Sequence, residues 1–178
     1  APNYNLKHSL VGDLSAILIE NINPVVNLIR VPKKEIALLS DFEEKMEKIA
    51  RIAMNQDITN ISGVPSWMLA VIKRVMELKG TDNLAEVWPN LEIFFHGGVA
   101  FTPYREQYQQ IIRSSNMHYM ETYNASEGFF GIQNDPTDPS MLLMIDYDVF
   151  YEFIPMDEFD TPNPQIVPLW EVELNKNY

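Results

Sequence analysis

Apolar positions fall into helical spacing through the first half of the chain and into shorter, strand-like runs through the second. Leu10, Leu14, Ile17 and Leu18 share one helical face and predict a first helix. It should stop near Asn23-Pro24, because the residue before a proline is pushed out of the helical region. From Val25 to Leu39 the pattern fits strand and buried helix equally, and Pro32 interrupts it. Ser40 with Glu43 has capping-box spacing, and Phe42, Met46, Ile49 and Ala53 continue on one face of a second helix. Thr59 to Gly63 is a β-capable run. Val64-Pro65 then opens a third helix that runs to Lys79 with Gly80 as its stop. That helix is apolar almost all round, from Trp67 and Met68 to Leu78, which predicts burial on more than one side.

Beyond it, Asp82 is placed to cap a short turn reaching Val87-Trp88. Leu91 to Phe95 predicts a buried strand leading into His96-Gly97-Gly98. Thr102-Pro103 starts a helix with Tyr104, Tyr108, Ile111 and Ile112 inward, and His118 to Tyr123 is the next strand. Strand, glycine loop, helix and strand in that order are the grammar of an α/β fold with parallel neighbours. Its ligands sit at the carboxyl ends of the strands, so His96-Gly97-Gly98 and Tyr123-Asn124-Ala125-Ser126-Glu127-Gly128 are expected on one rim. After the second motif the pattern changes. Phe129 to Gln133, Met141 to Ile145, Val149 to Ile154 and Leu169 to Leu174 read as strands, and six of the 12 prolines lie between Pro136 and Pro168. The expected fold class is therefore α/β, a largely parallel sheet with flanking helices followed by an antiparallel C-terminal sheet with proline-marked edges. The expected division is an α/β part over about residues 1–128 and a mostly β part over about 129–178.

Composition narrows the function. A hydrophobic share of 46% with 11% aromatics belongs to a folded globular chain. The net charge of -12 repels a phosphate backbone, and Lys33-Lys34 is too small a basic patch to offset it, so no nucleic-acid partner is expected. The absence of cysteine removes disulfides, thiolate zinc sites and a cysteine nucleophile, and allows a reducing, cytoplasmic setting. No apolar run approaches the roughly 18 residues of a membrane span, and no membrane partner is expected. His8, His96 and His118 lack metal-ligand spacing. There is no phosphate loop of the Gly-x-x-x-x-Gly-Lys type, no dinucleotide fingerprint and no nucleophile elbow around Ser126.

What remains is a ring, a hydroxyl, a carboxylate and two glycines within nine residues, Tyr123 to Gly131. A ring can stack on a base, a hydroxyl can donate to phosphate, a carboxylate can hold a hard cation, and glycine admits close approach of backbone. The same residues also suit a tight turn between two strands.

Five blocks in order, Ile61-Ser62-Gly63-Val64-Pro65-Ser66-Trp67, Val87-Trp88-Pro89-Asn90-Leu91, Phe95-His96-Gly97-Gly98-Val99, Tyr123 to Gly128 and Phe150-Tyr151-Glu152-Phe153-Ile154-Pro155, closely resemble the auxin-responsive acyl-acid amido synthetases, as a bacterial-type member. These are adenylate-forming enzymes. The resemblance implies that a small carboxylic acid is activated with ATP and Mg²⁺ as an acyl adenylate, and that an amino acid or other amine then displaces AMP. It implies that Tyr123 stacks on or borders the adenine, that His96, Gly97, Gly98 and Val99 wall its edge, that Ser126 contacts the α-phosphate and that Glu127 ligates Mg²⁺. Phe130 and Ile132 become candidates for the acid's pocket. The family's Ser/Thr/Gly phosphate loop, its Tyr-Arg-x-Gly-Asp element and its small C-terminal domain with the catalytic lysine have no counterpart in these 178 residues. The expectation is a middle fragment of the large N-terminal domain of a longer enzyme, inactive alone. Phenylacetate-type coenzyme A ligases share the first half-reaction and are the alternative enzyme. An acidic, non-catalytic α/β binding module is the alternative of another class.

Overall fold

A computed structural model of the chain describes residues 4–6, 9–11 and 14–178. Its centre is a five-stranded mixed sheet in the order β3-β4-β5-β6-β7. Here β3 is Asn60–Gly63, β4 Ile93–Gly97, β5 His118–Ala125, β6 Gly128–Ile132 and β7 Leu142–Leu143. The first two neighbour pairs are parallel and the last two antiparallel. Helices α5 (Pro65–Lys79) and α6 (Thr102–Ile111) make the crossovers between the parallel strands. Two small antiparallel pairs stand apart: β1 (Tyr4–Leu6) with β2 (Ser9–Val11), and β8 (Glu152–Phe153) with β9 (Val167–Pro168). The fold class is α/β, as the periodicity predicts.

The N-terminal region departs from expectation. Leu10 lies in β2, and the first helix, α1, covers only Leu14–Glu20. Pro24 opens a helix instead of closing one, because the Asn23 side chain accepts from the Val25 N–H at 2.9 Å and proline suits a first turn. The undecided stretch thus becomes α2 (Pro24–Ile29) and α3 (Lys34–Ala37). Helix α4 (Phe42–Ala53) is capped by Asp41, whose carboxylate accepts from the Glu44 N–H at 2.7 Å, one position after the expected Ser40. A charged acceptor at the positive end of a helix outcompetes a hydroxyl.

Helix α5 has a broad buried face but not an all-round one. Leu69, Ile72, Val75 and Met76 are buried, whereas Trp67 is 63% exposed and meets the Phe42 ring edge-on at 5.3 Å. Gly80 ends the helix with φ at 70°, the left-handed region glycine accepts readily. Asn83, not Asp82, caps the next short turn, and Asp82 instead pairs with Arg113 at 2.7 Å. Strand β4 extends through His96 and Gly97. At α6 the cap position is Phe101, with no side-chain cap, and Thr102 is already helical.

The core lies between the sheet and α4, α5 and α6, with Phe94, Ile72, Val75, Leu84 and Tyr108 fully buried. Two of its polar groups are satisfied at long range. The Tyr108 hydroxyl donates to the Pro65 carbonyl at 2.7 Å, and the Trp88 indole donates to the Ala53 carbonyl at 2.9 Å. The C-terminal runs pair less than expected. Only Leu142 and Leu143 of the second run, and Glu152 and Phe153 of the third, are strand; in the fourth, Leu169–Glu171 is a 3-10 turn beside β9. The many prolines lack the donors a longer ladder needs.

Candidate functional site

Parallel pairing of β4 with β5 sets the site. Gly97 stands beside Thr122, and the Thr122 hydroxyl donates to the His96 carbonyl at 3.1 Å. A Cβ on Gly97 would lie 2.4 Å from the Thr122 carbonyl oxygen, so the close approach of the strand ends depends on glycine here. Gly98 follows with φ at 81°, and Val99 and Ala100 are exposed. One strand over, β5 runs on past Thr122 and turns back as β6. Ala125 pairs with Gly128, so Ser126 and Glu127 form a two-residue hairpin turn, both exposed. Both motifs therefore occupy the carboxyl-end rim of neighbouring strands.

The hairpin is irregular. Tyr123 pairs with Gly131 and Asn124 with Phe129, which leaves Phe130 unopposed as a bulge. Bulges re-aim side chains, and here the Tyr123 and Phe130 rings come to 5.3 Å of one another beside the turn. Tyr123 is 57% exposed and offers a ring surface to a ligand. Ile132 pairs with Thr122 on one side and Leu142 on the other. Among the described residues no group of three or more carboxylates and histidines converges, so Glu127 stands as a single carboxylate at the rim. That donor set suits Mg²⁺, which takes one or two protein carboxylates and completes its shell with phosphate oxygens and water. It would not suit Zn²⁺.

The His96 imidazole points away from solvent. It is 1% exposed and stacks on Phe101 at 4.0 Å, and neither ring nitrogen has a hydrogen-bond partner. Burial, followed by repulsion from Arg105, pushes its pKa down to about 4. The Tyr119 hydroxyl is likewise buried without a partner, and burial pushes it up to about 12. The Arg105 guanidinium stands 5.0 Å from the Phe101 ring and 5.9 Å from the Tyr119 ring. His96 thus supports the rim from beneath, and Gly98 and Val99 are exposed above it. Phe101, Arg105, Tyr119 and Thr122 belong to this support and are not singled out by motif reading. The spacing of Phe101 and Arg105, one helical turn apart, is their only sequence signal.

A second feature lies outside both motifs. A cavity of 570 Å³ runs along the free edge of β3, walled by α1, the α2–α3 connection, α4 and the start of α5. Neither Phe130 nor Ile132 lines it.

No described helix is long and apolar enough to cross a membrane. Residues 142–178 match the GH3 family central domain, and residues 2–117 match the GH3 family N-terminal domain. The hairpin turn falls between the two matched stretches. The chain is similar to the indole-3-acetic acid-amido synthetase GH3.3 of Arabidopsis thaliana, 24% identical over 186 residues. That alignment takes in 97% of this chain and 30% of the length of the relative. With more than half of its length inside the N-terminal domain model, the chain belongs to the GH3 family.

Proposed function

We propose that the chain is part of an ATP-dependent synthetase that activates a small carboxylic acid as its acyl adenylate and passes the acyl group to an amine. One observation carries the reading: parallel β4–β5 pairing brings the Gly97-Gly98 loop and the Ser126-Glu127 turn to one rim. The exposed residues Gly98 and Val99 and the exposed ring of Tyr123 suit the edge and face of a purine. The acid's oxygen bonds to the α-phosphorus as the bond to pyrophosphate breaks. The amine nitrogen then bonds to the acyl carbon, AMP departs and the amine proton passes to solvent. Ser126 donates to the α-phosphate as charge builds there, and Glu127 holds the cation. Mg²⁺, when bound, supplies charge neutralisation and orients the phosphates. Amide formation is preferred over thioester formation because the similar Arabidopsis protein is an amido synthetase.

The test uses the complete gene product, with pyrophosphate release measured in ATP, Mg²⁺ and a carboxylic acid. Glu127→Ala should lower release about 100-fold or more with unchanged circular dichroism. A fully active variant removes Glu127 from the metal role, and thioester in place of amide assigns the chain to the coenzyme A ligase reaction.

A further inference from the structure

We propose that His96 is a positioning residue for the rim: its ring stacks on Phe101 and clamps the two ends of the glycine loop, which holds Gly98 and Val99 ready for a planar ligand. The identity of that ligand rests on the nucleotide reading above. His96 lies near the end of β4, Phe101 stands at the cap position of α6, and residues 97–100 join them. This loop has little of its own to hold it. Among the described residues, Gly98, Val99 and Ala100 make no backbone hydrogen bond. Gly98 takes a φ of 81°, and α6 begins without a side-chain cap. A segment of this kind loses conformational entropy when a ligand orders it, so a contact that orders it beforehand strengthens binding.

The stack supplies that order. The His96 and Phe101 rings lie 4.0 Å apart and 19° from parallel, and both are buried. Each residue is also fixed to β5. The His96 carbonyl accepts from the Thr122 hydroxyl at 3.1 Å, and the Phe101 ring stacks on Tyr119 at 5.1 Å. The start of the loop is therefore tied to β5 through Thr122 and its end through Tyr119, and the contact between His96 and Phe101 closes the frame. Neither ring nitrogen of His96 has a partner, so the ring contributes its face and not a hydrogen bond. A side chain this deeply buried acts on a ligand through its neighbours, so Gly98 and Val99, and not the imidazole, would meet the purine.

The test uses the complete gene product, with a fluorescent ATP analogue and Mg²⁺ for affinity and pyrophosphate release at saturating ATP for kcat. His96→Leu and Phe101→Leu each remove the stack and keep apolar volume. Each should weaken the analogue roughly tenfold, the scale of one aromatic pair, with kcat within about twofold of wild type. The double variant should bind no more weakly than either single one, because both remove the same contact. His96→Phe keeps a ring and should restore the affinity lost in His96→Leu. A fold that is merely destabilised loses kcat with its active fraction and keeps its affinity. Limited elastase digestion reads the clamp without nucleotide: cleavage after Val99 or Ala100, relative to other sites, should rise in both Leu variants and fall back in His96→Phe. Unchanged affinity in folded Leu variants, additive losses in the double variant, or equal losses in His96→Phe and His96→Leu each overturns the clamp. Should neither Leu variant fold, His96→Phe decides: wild-type affinity and digestion uphold the stack, and a loss of affinity assigns the role to the ring nitrogens instead. A wild type that binds no analogue refutes the ATP-dependent reading and leaves the digestion ratio to decide the clamp. Analogue binding with an unchanged ratio in the Leu variants refutes the clamp alone.

Discussion

Gly97 stands where a methyl group has no room, because the nearest atom is the backbone carbonyl oxygen of Thr122, which cannot move aside as a side chain could. Gly97→Ala should destabilise the chain by about 1–3 kcal/mol, seen as a lower urea midpoint at unchanged slope. An unchanged midpoint would mean that the two strand ends are not held so close. His96 carries a different cost. An ordinary imidazole titrates near 6.5, and in the fold this one titrates near 4, so between those values the unfolded chain binds more protons. The stability tied to neutral His96 is complete above pH 6.5 and falls as pH drops towards 4. The loss amounts to roughly 3 kcal/mol over the full window. His96→Phe should not show it, so the stability difference between wild type and variant should shift by that order between pH 7 and pH 4. Carboxylates titrate in both proteins and cancel in the difference. A difference independent of pH would place a solvated imidazole at this position.

At the scale of elements, helix starts were the least legible. Ser40/Glu43 and Asp41/Glu44 both have capping spacing, and only the entry of Phe42 into the first turn decides between them. Asp41→Ala should cost about 1 kcal/mol in thermal or urea unfolding, and Ser40→Ala close to nothing. The reverse order would restore the capping box that sequence favours. The strand–loop–helix–strand unit from Ile93 to Ala125 was legible because burial, glycine and proline all mark the same boundaries. Leu10 lies in a strand although it shares helical spacing with Leu14, Ile17 and Leu18, because such spacing looks alike whether the first residue belongs to the helix or to a preceding strand. The C-terminal strands were overextended because alternation predicts a pleat but does not supply a partner.

For the whole molecule, both halves of the rim were visible as motifs, and their adjacency followed from the crossover rule. Neither the support beneath the rim nor the cavity was visible. His96, Phe101, Arg105 and Tyr119 meet through tertiary packing between β4, α6 and β5, and no local pattern announces such a meeting. The cavity is shaped by residues from Ser15 to Trp88 that come from several separate stretches of the chain and meet only in the fold. Family membership is likewise a property of long stretches, since the two matched segments bracket the hairpin turn without containing it.

The gap at Gly97 also acts as a ruler. If β4 slipped by one residue along β5 so that His96 stood beside Thr122, a Cβ would enter the 2.4 Å space and the alignment would fail. The relative height of the two rim loops is thus gauged inside the sheet. Loops gauged in this way are free to diverge in length and sequence beyond Gly98 and beyond the Ser126-Glu127 turn. A lineage, or a designer, can then change what the rim recognises while the spacing between its two walls stays the same.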